Sequence, residues 1–162
     1  MKYFATAIMA TLLLTTACRN QNKQVDSNEG NDSAINDQAA EHMADSTIYG
    51  TSDEFGMSTF TLISDQGDTL YVTRTANDGT DGKIYGDLKE GERYAMTTRD
   101  GGEAIGVLIN LTQLETFVAK DRYKTLNGHL YIDGEEIHLS TLCADSLAGT
   151  IVSNSQPFIL KK

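Results

Sequence analysis

The chain of 162 residues has no tryptophan, a single proline (Pro157) and two cysteines. Two cysteines cannot build a disulfide framework, so the fold must stand on an apolar core. Basic residues are also scarce, 13 against 23 acidic ones, giving a net charge of −10. A surface that neutralises phosphates is excluded on that balance, and nucleic acid with it. Catalytic signatures are missing too. There is no G-x-S-x-G, H-E-x-x-H, P-loop, G-x-G-x-x-G or C-x-x-C, so the chain does not read as an enzyme. Long amphipathic helical patterns are likewise missing. What the chain does have is 14 glycines, seven tyrosines and many threonines, the composition of short strands joined by tight glycine turns.

Three segments follow one another. Residues 1–17, MKYFATAIMATLLLTTA, form a signal peptide: one lysine, an apolar run too short to span a bilayer permanently, then small residues. Leu14-Thr15-Thr16-Ala17-Cys18 resembles the lipobox of bacterial lipoproteins, with Thr15 in place of the usual apolar residue. That resemblance implies acylation of the Cys18 thiol, cleavage before it, and a membrane partner held by two or three acyl chains. Each buried methylene contributes about 0.8 kcal/mol, which makes such an anchor nearly permanent. Arg19, rather than aspartate, follows the cysteine, so the expected location is the cell envelope at the outer membrane.

Residues 18–45 form the lipidated tether. Val25, Ile35 and Met43 are its only sizeable apolar side chains, too few to bury a face, and disorder is expected. Ser33 and Ser46 each follow an aspartate and resemble short O-glycosylation acceptors of exported proteins in Bacteroidota. His42 falls in the same tract and reads as solvated.

Residues 46–162 form the domain, where apolar residues recur every second position. Asp65-Gln66-Gly67 predicts a three-residue turn with a bulge, pairing Ser64 with Asp68, Leu62 with Leu70 and Phe60 with Val72. Asp100-Gly101 predicts a two-residue turn placing Met96 opposite Ile105 and Tyr94 opposite Val107. Asp133-Gly134 predicts a third, with Leu130 across from Ile137, and His129 facing His138 and Tyr131 facing Glu136 on the other side. Further strands are expected near 83–86, 147–153 and 157–161, and one short helix over 112–120 capped by Thr112. About eight short strands indicate an all-β fold, an antiparallel barrel or sandwich, and closure into a small barrel would remove the exposed edges.

FTLISDQGDTLYV, GDLKEGERYAM, AIGVLINLTQL and YKTLNGHLYIDGEEIHLSTLCADSL resemble segments of small lipocalin-like lipoproteins common in Bacteroidota. Tyr123 stands where that family carries tryptophan, and Glu115-Thr116-Phe117 replaces a longer module opening in Gly-x-Trp. The chain reads as truncated there, which makes the first half, about 47–111, the dominant unit; that half also looks like an OB-type barrel, so the resemblance implies a small antiparallel barrel that is either OB-like or truncated lipocalin-like.

No residue set rises to a catalytic, cofactor or metal site. His129, His138 and Glu136 form the best ligand cluster, yet two imidazoles do not define a zinc site, and a solvated sheet face is expected. Asp87, Glu90 and Glu92 around Gly91 read as turn solvation rather than a calcium loop. Asn110-Leu111-Thr112 matches an N-glycosylation acceptor by chance. Cys143 reads as a small buried hydrophobe. The expected function is therefore a lipid-anchored envelope binding module, its partner an envelope protein, a glycan or a small apolar ligand. The alternative is a lipocalin-like carrier of a small apolar ligand.

Overall fold

The computed structural model describes residues 44–162. The segment read as a signal peptide, Cys18, Ser33, His42 and the segment read as tether through residue 43 lie outside the described residues.

Five strands close a barrel: β1 (Ile48–Phe55), β2 (Thr59–Ser64), β3 (Thr69–Thr73), β5 (Arg93–Arg99) and β6 (Ala104–Asn110). Around the barrel the order is β1-β2-β3-β6-β5 and back to β1, every pair antiparallel except β3–β6, which meet in parallel at Thr73 and Ala104. That order and its single parallel closure make the barrel OB-like. It is complete by Asn110, so it occupies only the first half of the domain. A three-residue strand, β4 (Lys83–Tyr85), lies parallel beside β6. The strands pack so tightly that Gly50 of β1 has no room for a side chain: a Cβ there would meet the Ile63 carbonyl oxygen at 2.3 Å.

Phe60, Leu62, Val72, Tyr94, Met96, Ile105 and Leu108 fill the interior, each at most 1% exposed. Phe60 and Tyr94 meet edge to face, ring centres 5.2 Å apart, the arrangement that opposed ring quadrupoles favour.

The β2–β3 hairpin forms as its turn sequence dictates. Gly67 takes φ 92°, the Ser64 N–H donates to the Asp68 carbonyl at 2.8 Å, and Leu62–Leu70 and Phe60–Val72 pair as expected. The β5–β6 hairpin does not. Asp100, Gly101 and Gly102 all adopt positive φ, so the connection spans residues 100–103 instead of two residues. A bulge at Gly106 then shifts the ladder again, and Met96 pairs with Leu108 and Tyr94 with Asn110. Adjacent glycines enter the left-handed region without penalty, so this turn is longer than its Asp-Gly pair suggests.

The second half is an antiparallel meander, β7 (Tyr123–Leu126), β8 (His129–Ile132), β9 (Glu135–Leu142), β10 (Ser146–Ile151) and β11 (Pro157–Lys161), with edges β7 and β11. The described residues form eleven strands, three more than the sequence patterning suggested. The Asp133-Gly134 turn, with φ 52° and 86°, sets Leu130 against Ile137 and Tyr131 against Glu136 as expected. One face of this sheet lies on the outside of the barrel. Ala95 and Ile109, on the outer side of β5 and β6, share a second core with Leu114, Leu130, Ile137 and Leu147.

The helix is shorter than expected. α1 covers Leu111–Leu114, and its cap is Asn110, whose side-chain oxygen accepts from the Gln113 N–H at 2.8 Å. Thr112 does not cap; its hydroxyl oxygen accepts the Arg93 N–H from β5 at 2.9 Å. Single turns carry the chain onward, with the Val118 N–H on the Leu114 carbonyl.

Candidate binding groove

Tyr49, on the outer side of β1, is half-buried, and its hydroxyl donates to the Thr125 carbonyl at 2.8 Å while accepting from the Thr125 hydroxyl at 2.9 Å. The ring is thereby fixed where the barrel meets edge strand β7. A cleft lies on either side of it. The first, about 230 Å³, runs along the β2–β3 turn between Tyr49, Ile48, Leu70, Asp65, Gln66 and Asp68. The second, about 190 Å³, is walled by Tyr49, Arg93, Glu115, Lys120, Tyr123 and Thr125.

A bidentate ion pair joins the two. The Arg93 guanidinium donates to both Asp65 carboxylate oxygens at 3.0 and 2.8 Å. This contact holds the Asp65 carboxyl below its usual range and the Arg93 guanidinium above its own. Tyr123 donates to Glu115 at 2.8 Å, and its hydroxyl is pushed well up, first by burial and then by that carboxylate. Tyr123 therefore stays a neutral donor throughout the physiological range. Tyr49, the ion pair and Tyr123 thus line a groove of two clefts with Tyr49 as their common wall, polar except at Ile48 and Leu70 in the first and Leu111 in the second.

The start of the domain is pinned beside this groove. The Ser46 N–H and hydroxyl both donate to the Asn127 side-chain oxygen, at 2.7 and 2.8 Å. The Asn127 N–H donates to the Thr47 hydroxyl oxygen at 2.8 Å. Asp45 accepts from Thr47, whose hydrogen bond keeps its carboxyl low. Asp45, the last residue of the segment 18–45 read as tether, is thus held against the domain, because the β7–β8 turn offers it the Asn127 N–H at 3.2 Å.

The residues singled out from the sequence fall elsewhere. His129 Nδ1 sits 2.6 Å from Glu136 Oε1 on an exposed face. Strand pairing between β8 and β9 begins only at Leu130, so His129 and His138 are not ladder partners. Among the described residues, no three His, Cys, Asp or Glu side chains gather as metal ligands would. Asp87, Glu90 and Glu92 belong to a loop closed over one end of the barrel. Its polar groups converge on Tyr94 and Asn110: the Tyr94 hydroxyl donates to the Asp87 carbonyl at 2.9 Å and accepts the Lys89 N–H at 2.9 Å. Asn110 donates to the Asp87 carbonyl at 2.8 Å and to the Glu92 carboxylate. Asn110 is 0% exposed, so its amide is spent on the cap and this loop.

Cys143 departs from expectation. It is only half-buried, and its thiol lies 3.1 Å from an Asp145 carboxylate oxygen and 2.9 Å from the Ser146 hydroxyl. The following turn back into β10 surrounds it with polar groups rather than side chains of the core.

Sequence reasoning missed the groove because its parts lie on β1, the β2–β3 turn, β5, the segment after α1 and β7. Asp65 and Gln66 registered only as turn residues, and nothing local marks Tyr49 or Arg93. No protein-family model matches the chain, and comparisons with curated proteins and with solved structures return no match either.

Proposed function

We propose that this chain is a lipid-anchored binding module of the bacterial cell envelope, acylated at Cys18 and without covalent chemistry of its own. The observation that carries this reading is the filled barrel. Seven large side chains at most 1% exposed occupy the interior, which leaves recognition to the outer surface. A lipocalin-like carrier needs an apolar interior of several hundred cubic ångströms, and the packed core weighs against it. The open clefts on either side of Tyr49 support surface recognition instead. The outer membrane is the location the Cys18-Arg19 junction favours, and the family resemblance to small lipocalin-like lipoproteins agrees with it.

Fractionation tests the anchor. Cys18→Ala leaves the precursor unacylated and moves the protein out of the detergent-phase membrane fraction. Continued labelling of that variant by palmitate overturns the anchored module.

A further inference from the structure

We propose that the groove across Tyr49 binds a neutral oligosaccharide, an assignment that rests on the binding-module reading and names its ligand class. Four features of the groove support it.

Size comes first. The two clefts, about 230 and 190 Å³, share Tyr49 as a common wall and each has the volume of roughly one hexose ring, so a chain of two sugars crossing the tyrosine fits the space. Charge comes second. Asp65, Asp68 and Glu115 stand with Arg93 and Lys120, three carboxylates and two cations, while the Lys124 ammonium lies 5.1 Å from the centre of the Tyr131 ring, which lines neither cleft. A phosphate or a polyanion would meet the carboxylates, and a polycation the guanidinium and ammonium groups; a polyol meets neither repulsion.

Third, the polar groups have planar geometry. A carboxylate, a primary amide and a guanidinium each present two donor or acceptor atoms at the spacing of adjacent ring hydroxyls. Gln66 and Asp68 supply an amide and a carboxylate to the first cleft, while Asp65 and Arg93, which spend their paired edges on each other, keep their outer lone pairs and remaining N–H groups for a ligand. The Asp65–Arg93 pair is already locked bidentate, so little side-chain freedom is lost when a ligand arrives. Fourth, tyrosine rings suit the axial C–H faces of a sugar, because the negative ring face attracts weakly positive hydrogens. Tyr49 and Tyr123 are tied by their hydroxyls to Thr125 and Glu115 and pack in part against the second core, which fixes the two rings where they line the clefts.

An extended peptide is the rival occupant. β7 is an edge strand, and the Arg122–Asp133 backbone bond next to it sets the alternation that turns Tyr123 and Thr125 main-chain groups toward the cleft. The Thr125 carbonyl is already taken by Tyr49, which leaves too short a ladder for strand addition.

The test uses the full-length acylated protein in detergent, titrated with hexaoses of glucose (α- and β-linked), mannose, xylose and N-acetylglucosamine, with a strand-forming hexapeptide and with inorganic phosphate. Saturable binding of at least one hexaose is expected, weakened tenfold or more in Gln66→Ala and in Tyr49→Phe/Asp65→Asn, and unchanged in Tyr71→Ala on the outer face of β3. Gln66 is an exposed turn residue, so its variant keeps the fold even where the double variant does not. Absence of binding to every hexaose, binding indifferent to Gln66→Ala, loss in Tyr71→Ala, or tighter binding of the peptide or phosphate each overturns the assignment. Failure here leaves acylation of Cys18 untouched, whereas membrane retention of Cys18→Ala overturns the anchored module and leaves the titration standing.

Discussion

Two hairpins of one barrel, β2–β3 and β5–β6, obey different rules. In β2–β3 the inward residues Phe60, Leu62 and Val72 are buried while Ile63 and Tyr71 on the outer side are 42% and 77% exposed. In β5–β6 both sides are covered: Met96, Ile105 and Leu108 face the barrel interior, and Ala95 and Ile109 face the meander sheet. A strand with one wet face advertises its register through alternation, whereas a strand buried on both faces does not. The β5–β6 hairpin is therefore the wall between the two cores, one face on the barrel interior and the other on the meander sheet.

The sharpest way to break this contrast is to place a charge on the outer side of each hairpin. Ile109→Asp buries an unpaired carboxylate between two sheets and is expected to cost several kcal/mol or abolish folding. Ile63→Asp, on the open side of β2, is expected to change stability by less than about 0.5 kcal/mol. Urea unfolding of both variants measures the difference, and equal effects would mean that the meander does not cover β5–β6.

A smaller effect separates the hairpin ends. Asn110→Ala removes the α1 cap and leaves the buried Gln113 N–H and Asp87 carbonyl short of a partner, an expected loss of about 1–3 kcal/mol. The same denaturation experiment reads it, with hydrogen exchange expected to rise first in the 86–92 loop. A variant as stable as the parent would show that this loop closes without the Asn110 network.

The smallest effect concerns the ion pair that ties the two hairpins together. Asp65 has a folded pKa below its ordinary value of 3.8 because of Arg93. Its contribution is therefore full above that ordinary value and disappears as the pH falls through the lower folded one. Since the Asp65 side chain is 51% exposed, solvent screening keeps the contribution below about 1 kcal/mol. The stability difference between parent and Asp65→Asn is expected to shrink as pH drops from 5 to 2, with sugar affinity following the same direction. A difference that grows on acidification would reverse the assigned role of Arg93.

These contrasts also explain what could be read in advance. Asp65-Gln66-Gly67 and Asp133-Gly134 are complete local instructions, and their registers followed from turn geometry alone. Asp100-Gly101-Gly102 is not complete, because a second glycine and the Gly106 bulge permit a longer connection whose choice depends on what packs outside. The α1 cap was misassigned by two residues for the same reason: Thr112 is an equally good capping residue by type, and only the position of Arg93 on β5 takes its hydroxyl away. Cys143 looked apolar by its neighbours in sequence, yet the turn back into β10 brings Asp145 and Ser146 onto its thiol.

What the sequence by itself determined is the class of structure and the places where the chain turns back. Glycine and aspartate at defined offsets set φ over two or three residues, and the period-two pattern set one buried face, both short-range effects. Tertiary structure decided which outer faces disappear, where Asn110 spends its amide, and that Tyr49, Asp65, Arg93 and Tyr123 line one groove. These are separated along the chain by up to 74 residues in number alone, and only barrel closure and the packing of the meander against it bring them together around Tyr49.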